Sequence, residues 1–318
     1  MHSPLDDTTL VVGAALARIP ASCARWGRGW CAAAACILEA SVPKAGNVHP
    51  GRSFADLDHE DFVAAALAIA PVFDRAADAP LGATVRAAVA ASAAVTRSNA
   101  NLGIVLALAP LVALPQAAGS GADAVTNDGL DALWATLTPA DAADVWEAIR
   151  LARPGGLGRS DRDDLAGPPP PDLRAAMAHA ADRDQIAALW SRGYAGLLAG
   201  PVADLEREFA AGAGLADAIA RGHLAQLARQ PDSLIARRHG PAAAAEVCRQ
   251  AAAIMQMSAE AWRPAAAAFD AALRMPPGIN PGTTADLIAT ALYILLDDAV
   301  LRDRCGLSRF LDRLLDEP

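Results

Sequence analysis

Thr96-Arg97-Ser98-Asn99-Ala100-Asn101 runs directly into Leu102-Gly103-Ile104-Val105-Leu106-Ala107-Leu108-Ala109-Pro110-Leu111-Val112-Ala113-Leu114. The second half is apolar on every face, so it predicts a rod at the centre of a domain, covered by neighbours all round. Pro110 should kink or end that rod. The first half carries a cation, hydroxyls and amides, which turn or cap a backbone rather than continue a helix. A polar mouth is thus joined to a buried rod, an arrangement suited to a small-molecule site. A plain helix cap by Ser98 or Asn99 explains the same residues.

Composition points the same way. Of 318 residues, 53% are hydrophobic and only 4% aromatic; a core of Ala, Leu and Val with few rings suits closely packed helices better than a sheet. The expectation is an all-α, single multi-helix globular domain over residues 1–318 with a buried central helix. Lys and Arg number 27 against 36 Asp and Glu, a net charge of −9. No basic run interleaves with aromatics, which argues against nucleic acid as a partner. Cys23, Cys31, Cys36, Cys248 and Cys305 form no CxxC pair, and read as small reduced core residues. The N-terminal stretch does not read as a signal peptide. The longest uncharged apolar runs fall short of the roughly 20 residues needed to span a bilayer. A cytoplasmic protein without a membrane partner is expected.

Outward from the rod, capping signals mark the helices. Asp58 at N-cap with Asp61 at N3 forms a capping box, and Leu57 with Phe62 a hydrophobic staple; Asp56 and His59 are less accounted for. Thr138-Pro139-Ala140-Asp141 opens another helix with proline at N1. After the stiff Pro168–Pro171 spacer, Asp172 caps what reads as one long helix through Ala188 and Leu197. Pro231–Gly240 reads as a loop carrying Arg237, Arg238 and His239. Thr283 and Asp286 fit an N-cap and its N3 partner, at a helix start whose free N–H groups favour a phosphate.

Five interruptions, around Lys44, Asn99, Gly156, Arg237 and Asn280, gather Lys, Arg, Asn and Gly between plain Ala-rich helices. Each has an ordinary explanation as a connection or cap. Together, at one end of a bundle, they would form a phosphate-binding pocket with carboxylates available for Mg²⁺. No HxxxH or HExxH spacing supports a histidine metal site.

Five motifs, in order, resemble those of the triphosphoribosyl-dephospho-CoA synthase family: Val42-Pro43-Lys44-Ala45-Gly46-Asn47-Val48; Asn99-Ala100-Asn101-Leu102-Gly103; Pro154-Gly155-Gly156-Leu157-Gly158; Pro231-Asp232-Ser233 with Arg237 and Gly240; and Asn280-Pro281-Gly282-Thr283-Thr284-Ala285-Asp286-Leu287. The likeness runs from about Cys31 to Leu296. It implies an all-helical enzyme that moves the triphosphoribosyl group of ATP to the 2′-hydroxyl of 3′-dephospho-CoA and releases adenine. Lys44, Arg237 and Mg²⁺ would then neutralise phosphates. Asn99, Gly155, Gly156, Asn280, Gly282, Thr283 and Thr284 would orient them, with Asn47, Asn101 and Asp232 also in the ligand site. Glu39 and Asp286 would serve in catalysis or metal binding.

The chain departs from citrate-linked members at Asn101-Leu102, where those carry His-Lys, and at Ala45, where they carry a second proline. One phosphate-binding lysine is thereby lost. The Asn-x-Asn-Leu-Gly form is closer to members tied to one-carbon cofactor pathways, so a related nucleotide- or cofactor-modifying transferase stands as the alternative. A non-catalytic helical nucleotide-binding protein is the third reading. ATP and a CoA-like or other cofactor acceptor are the implied partners, with a homodimer left open.

Overall fold

A computed structural model describes residues 7–114, 127–155 and 162–316, and the expected all-α architecture is what it shows. Seventeen helices are labelled here. They are α1 (Asp7–Leu16), α2 (Arg28–Ser41), α3 (His59–Phe73), α4 (Leu81–Ala93), α5 (Leu102–Ala113), α6 (Asn127–Ala135), α7 (Pro139–Ala152), α8 (Leu173–Ala180), α9 (Gln185–Arg192), α10 (Ala203–Ala210), α11 (Leu215–Arg229), α12 (Ser233–His239), α13 (Pro241–Met255), α14 (Trp262–Arg274), α15 (Gly282–Asp297), α16 (Ala299–Arg304) and α17 (Leu307–Asp316). A short turn and a π-helical turn, Leu198–Val202, join α9 to α10. Among the described residues no helix is long and apolar enough to cross a membrane.

The buried rod is α5, and it has company. Every residue of α2 is buried, as are nearly all of α15, and both pack against α5. Alanines at 32–35 and 107, 109, 289 and 291 are almost without exposure, so backbones approach closely and small side chains fill the gaps. α5 ends at Ala113, within a turn of Pro110. Arg28 closes that end by donating to the Val112 carbonyl at 2.6 Å and to the Leu114 carbonyl. A second apolar cluster, with Leu224, Leu227, Ile235, Val247, Trp262 and Phe269, joins α11 to α14, and Ala220 packs against both cores.

The capping boxes at Asp58/Asp61 and Thr138/Asp141 form as expected, and Phe62 packs with Leu57. His59 Nε2 pairs with Ser41 Oγ at 2.9 Å. The five cysteines are free thiols.

Four readings are corrected. α2 begins at Arg28 rather than near Ala21, because Trp26 has a left-handed φ of 65° and Gly27 supplies the N-cap. The long helix from Asp172 is broken: Asp184 caps a new helix by accepting from the N–H groups of Ile186 and Ala187, as an aspartate competing with the helical backbone does. Residues 233–239 are helix rather than loop, started by Asp232. Thr283 and Asp286 form no capping pair, since α15 starts at Gly282 and Asp286 lies beyond its N3 position.

Candidate active site

A cavity of about 570 Å³ opens between α5, α7, α8, α9, α12 and α15. It adjoins an inner chamber of about 110 Å³; Asn99, Leu102, Gly103, Leu234, Asn280 and Asp286 line both. The loops singled out in the sequence do converge here. Asn99, Gly155, Arg237, Asn280, Thr283 and Asp286 line the large cavity, while Glu39, Asn47, Asn101 and Gly282 line the chamber. Gly156 lies outside the described residues.

Asp286 sits where the two spaces meet. It is on the first turns of α15, and no donor among the described residues is placed on its carboxylate. Gly103 at the start of α5 permits this, because a Cβ there would lie 1.9 Å from Asp286 Oδ2. Burial, and then the nearby charges of Glu39, Asp232 and Asp184, push the Asp286 carboxyl well above the usual carboxylate range; Arg237 opposes them. Such a carboxyl keeps its proton to higher pH than an ordinary carboxylate does.

Around the chamber, Asn47 Oδ1 and Asn101 Nδ2 are buried without a hydrogen-bond partner among the described residues, and Glu39 Oε1 is met by Lys44 alone. The other polar atoms of the two asparagines are held. Asn101 Oδ1 accepts from Ser92 Oγ at 2.7 Å, and Asn47 Nδ2 donates to Asn280 Oδ1 at 2.8 Å. Glu39 Oε1 lies 3.1 Å from Lys44 Nζ. Burial pushes the Glu39 carboxyl up and the Lys44 ammonium down, each partly offset by the other.

Several expected ligand contacts turn out to be internal. Lys44 does not face the cavity: its three donors meet the Glu39 carboxylate, the Glu39 carbonyl and the Val42 carbonyl, leaving none for a phosphate. Asp232 accepts from the N–H groups of Leu234 (2.8 Å), Ile235 (3.0 Å) and Thr284 (2.7 Å) and from Thr284 Oγ1 (2.8 Å). Four donors fill its four acceptor sites, so Asp232 and Thr284 tie α12 to α15 rather than hold a ligand. Thr283 Oγ1 accepts from Ser233 Oγ at 3.0 Å, and Ser233 in turn pairs with Gln185. Asn99 Oδ1 accepts from Leu102 N–H at 3.0 Å, but the N-cap of α5 is Asn101, so Asn99 braces the turn before the helix rather than capping it, and it lines the cavity as well.

Charge in the large cavity is balanced. Arg153, Arg162, Arg183, Arg237 and Arg238 line it beside Asp56, Asp163, Asp164, Asp184 and Asp286. Arg237 is bound to Asp184, and Arg238 packs where a Cβ on Gly155 would come within 2.6 Å of its Nη2. One wall is apolar, with Leu106, Trp146, Ile149, Leu165 and Met177. Of these lining groups Asp184, Trp146, Met177 and Arg183 were missed; the Asp184 cap before an apolar helical face was the available signal.

Glu39 and Asp286 do not make a resident metal centre. Glu39 is already paired with Lys44, and no group of three His, Cys, Asp or Glu among the described residues could hold an ion. One free carboxylate suits Mg²⁺ only as an ion already chelated by phosphates, that is, as part of the nucleotide substrate.

The all-helical fold thus holds a carboxylate, unpaired among the described residues, at the junction of two cavities. The model of the ATP:dephospho-CoA triphosphoribosyl transferase family matches residues 26–304, and the chain belongs to that family. It is accordingly a transferase of the triphosphoribosyl-dephospho-CoA synthase type. No curated protein sequence matches the chain. Its fold is similar to a crystal structure assigned as a triphosphoribosyl-dephospho-CoA synthase from Archaeoglobus fulgidus, at 23% identity and a TM-score of 0.58, over 74% of this chain and 99% of that one.

Proposed function

We propose that Asp286 is the group about which the transfer takes place, with ATP bound as its magnesium complex. The carrying observation is its unpartnered, raised carboxyl at the junction of the two cavities. In the reaction the bond between adenine N9 and the ribose anomeric carbon breaks, and the acceptor's 2′-hydroxyl oxygen bonds to that carbon. Positive charge develops on the ribosyl ring, where a carboxylate stabilises it. Asp286 takes the hydroxyl proton as the oxygen attacks, and that proton finally resides on adenine, so none is consumed.

The triphosphate lies in the large cavity. Arg237, Arg238 and Arg153 face it, with the N-termini of α5 and α15 adding the positive ends of their dipoles. Because the described arginines there are matched by aspartates, a polyanion must bring its own cation, which Mg²⁺ on the phosphates supplies. The apolar wall at Trp146, Ile149 and Met177 suits the adenine ring or the uncharged arm of a CoA-like acceptor. Incubation with ATP, Mg²⁺ and dephospho-CoA should release free adenine, resolved by chromatography. Folded protein that releases none would reject dephospho-CoA as acceptor, and a panel of other acceptors would then be tried by the same readout.

A further inference from the structure

The inner chamber has a hydrogen-bonding signature of its own. Among the described residues Asn47 Oδ1 is an acceptor without a donor and Asn101 Nδ2 a donor without an acceptor, while Glu39 Oε1, met at 3.1 Å by Lys44 Nζ, keeps a second lone pair; all three residues are at least 95% buried. Buried polar atoms are expensive to leave unpaired, so an orphan acceptor and an orphan donor around one space imply an occupant. A single water needs only about 10–15 Å³ of such space. At about 110 Å³ the chamber is several times larger.

The pattern also selects the occupant's chemistry. A phosphate offers only acceptors and would meet Glu39, Asn47 and Asp286, all acceptors, with one donor in return. A secondary amide offers only one donor. Two adjacent hydroxyls offer two donors together with lone pairs for Asn101, which satisfies the set. We infer that the chamber between α2, α5 and α15 holds the vicinal diol of the transferred ribosyl group, Glu39 and Asn47 accepting from its hydroxyls and Asn101 donating to one of them. This rests on the transfer reading above and makes the chamber the determinant of ribose over deoxyribose. With the diol edge inward, the anomeric carbon faces the mouth, where Asp286 stands.

The test compares ATP with 2′-deoxy-ATP and 3′-deoxy-ATP on the unaltered protein, measuring adenine release and, by calorimetry, binding of each nucleotide with Mg²⁺. A site built to hydrogen-bond a hydroxyl rejects the analogue lacking it, so kcat/KM for at least one analogue should fall about tenfold or more. Intrinsic reactivity runs the other way for 2′-deoxy-ATP, since losing the electron-withdrawing hydroxyl eases formation of the ribosyl cation. A slower reaction therefore reports lost contacts. In Asn101→Ala the penalty for one analogue should shrink toward unity. Analogues within about twofold of ATP, or a penalty unchanged in Asn101→Ala, would overturn the assignment. If ATP releases no adenine with dephospho-CoA or any acceptor of the panel, the transfer reading fails, and the ratio of dissociation constants still decides the diol site.

Discussion

Asp232, fully buried, and Asp286, half-buried, lie among the same helices, yet they are opposites. Asp232 starts α12 and is met by four donors from two elements; Asp286 is met by none among the described residues and has Gly103 cut back to make room for it. Burial raises the carboxyl pKa at both places. What differs is compensation. A carboxylate with every lone pair filled is a fastening, whereas one left bare stores free energy that a ligand or a proton can release.

The strongest way to break this contrast is Asp286→Asn. Turnover should fall by roughly 10²–10⁴-fold, the usual span for a lost acid–base group. The fold should become more stable at pH 7, because the native carboxyl holds its proton to higher pH than the unfolded chain does. In that window the folded state binds more protons, so the wild-type protein loses stability as pH rises above the ordinary carboxylate range. The melting-temperature gain of Asp286→Asn over wild type should therefore shrink as pH is lowered toward 4. A variant less stable than wild type at pH 7 would place Asp286 with the fastenings. Asp232→Ala should show the reverse: a loss of about 2–5 kcal/mol in denaturant unfolding, as four buried donors lose their acceptor. If its stability holds while turnover collapses, Asp232 belongs to the chemistry.

This difference also marks what could be read from the chain. The buried α5, the caps at Asp58 and Thr138, and the convergence of the Asn99, Arg237 and Asn280 segments were visible, because each rests on local periodicity, local capping chemistry or motif order. Whether a given polar residue looks inward to a partner or outward to a ligand was not. Lys44 reads as a phosphate cation, and its donors are all spent on Glu39 and Val42. Asp286 reads from its spacing as half of a cap, and only the resemblance to the family offers it as a catalytic or metal-binding carboxylate. Such assignments depend on which atoms meet from positions as distant as Asp232 and Thr284, and no spacing encodes that. Asp184 illustrates the remaining failure: one residue switched from helix interior to cap breaks an expected long helix and lines the cavity.

Gly103→Ala tests the contrast from the other side of the contact. The added carbon would fall 1.9 Å from Asp286 Oδ2, so the carboxylate must swing away. Alanine at a helix start is otherwise well tolerated. Turnover should drop about 10²-fold, the scale for a displaced reacting group, with little change in nucleotide affinity. Activity within threefold of wild type would mean that the position of Asp286 does not matter.

Arg238→Ala should give the smallest effect, and it separates the outer cavity from the junction. Arg238 is exposed, packed over Gly155, and faces the space assigned to the triphosphate. An exposed guanidinium acting on phosphate contributes to ground state and transition state alike, so KM for ATP should rise about three- to tenfold with kcat unchanged. Because the attraction is screened by salt, the difference between variant and wild type should narrow as ionic strength is raised. A fall in kcat with KM unchanged would show instead that the arginine acts on the reacting centre, and would move the boundary between binding and chemistry outward from Asp286 to the rim of the cavity.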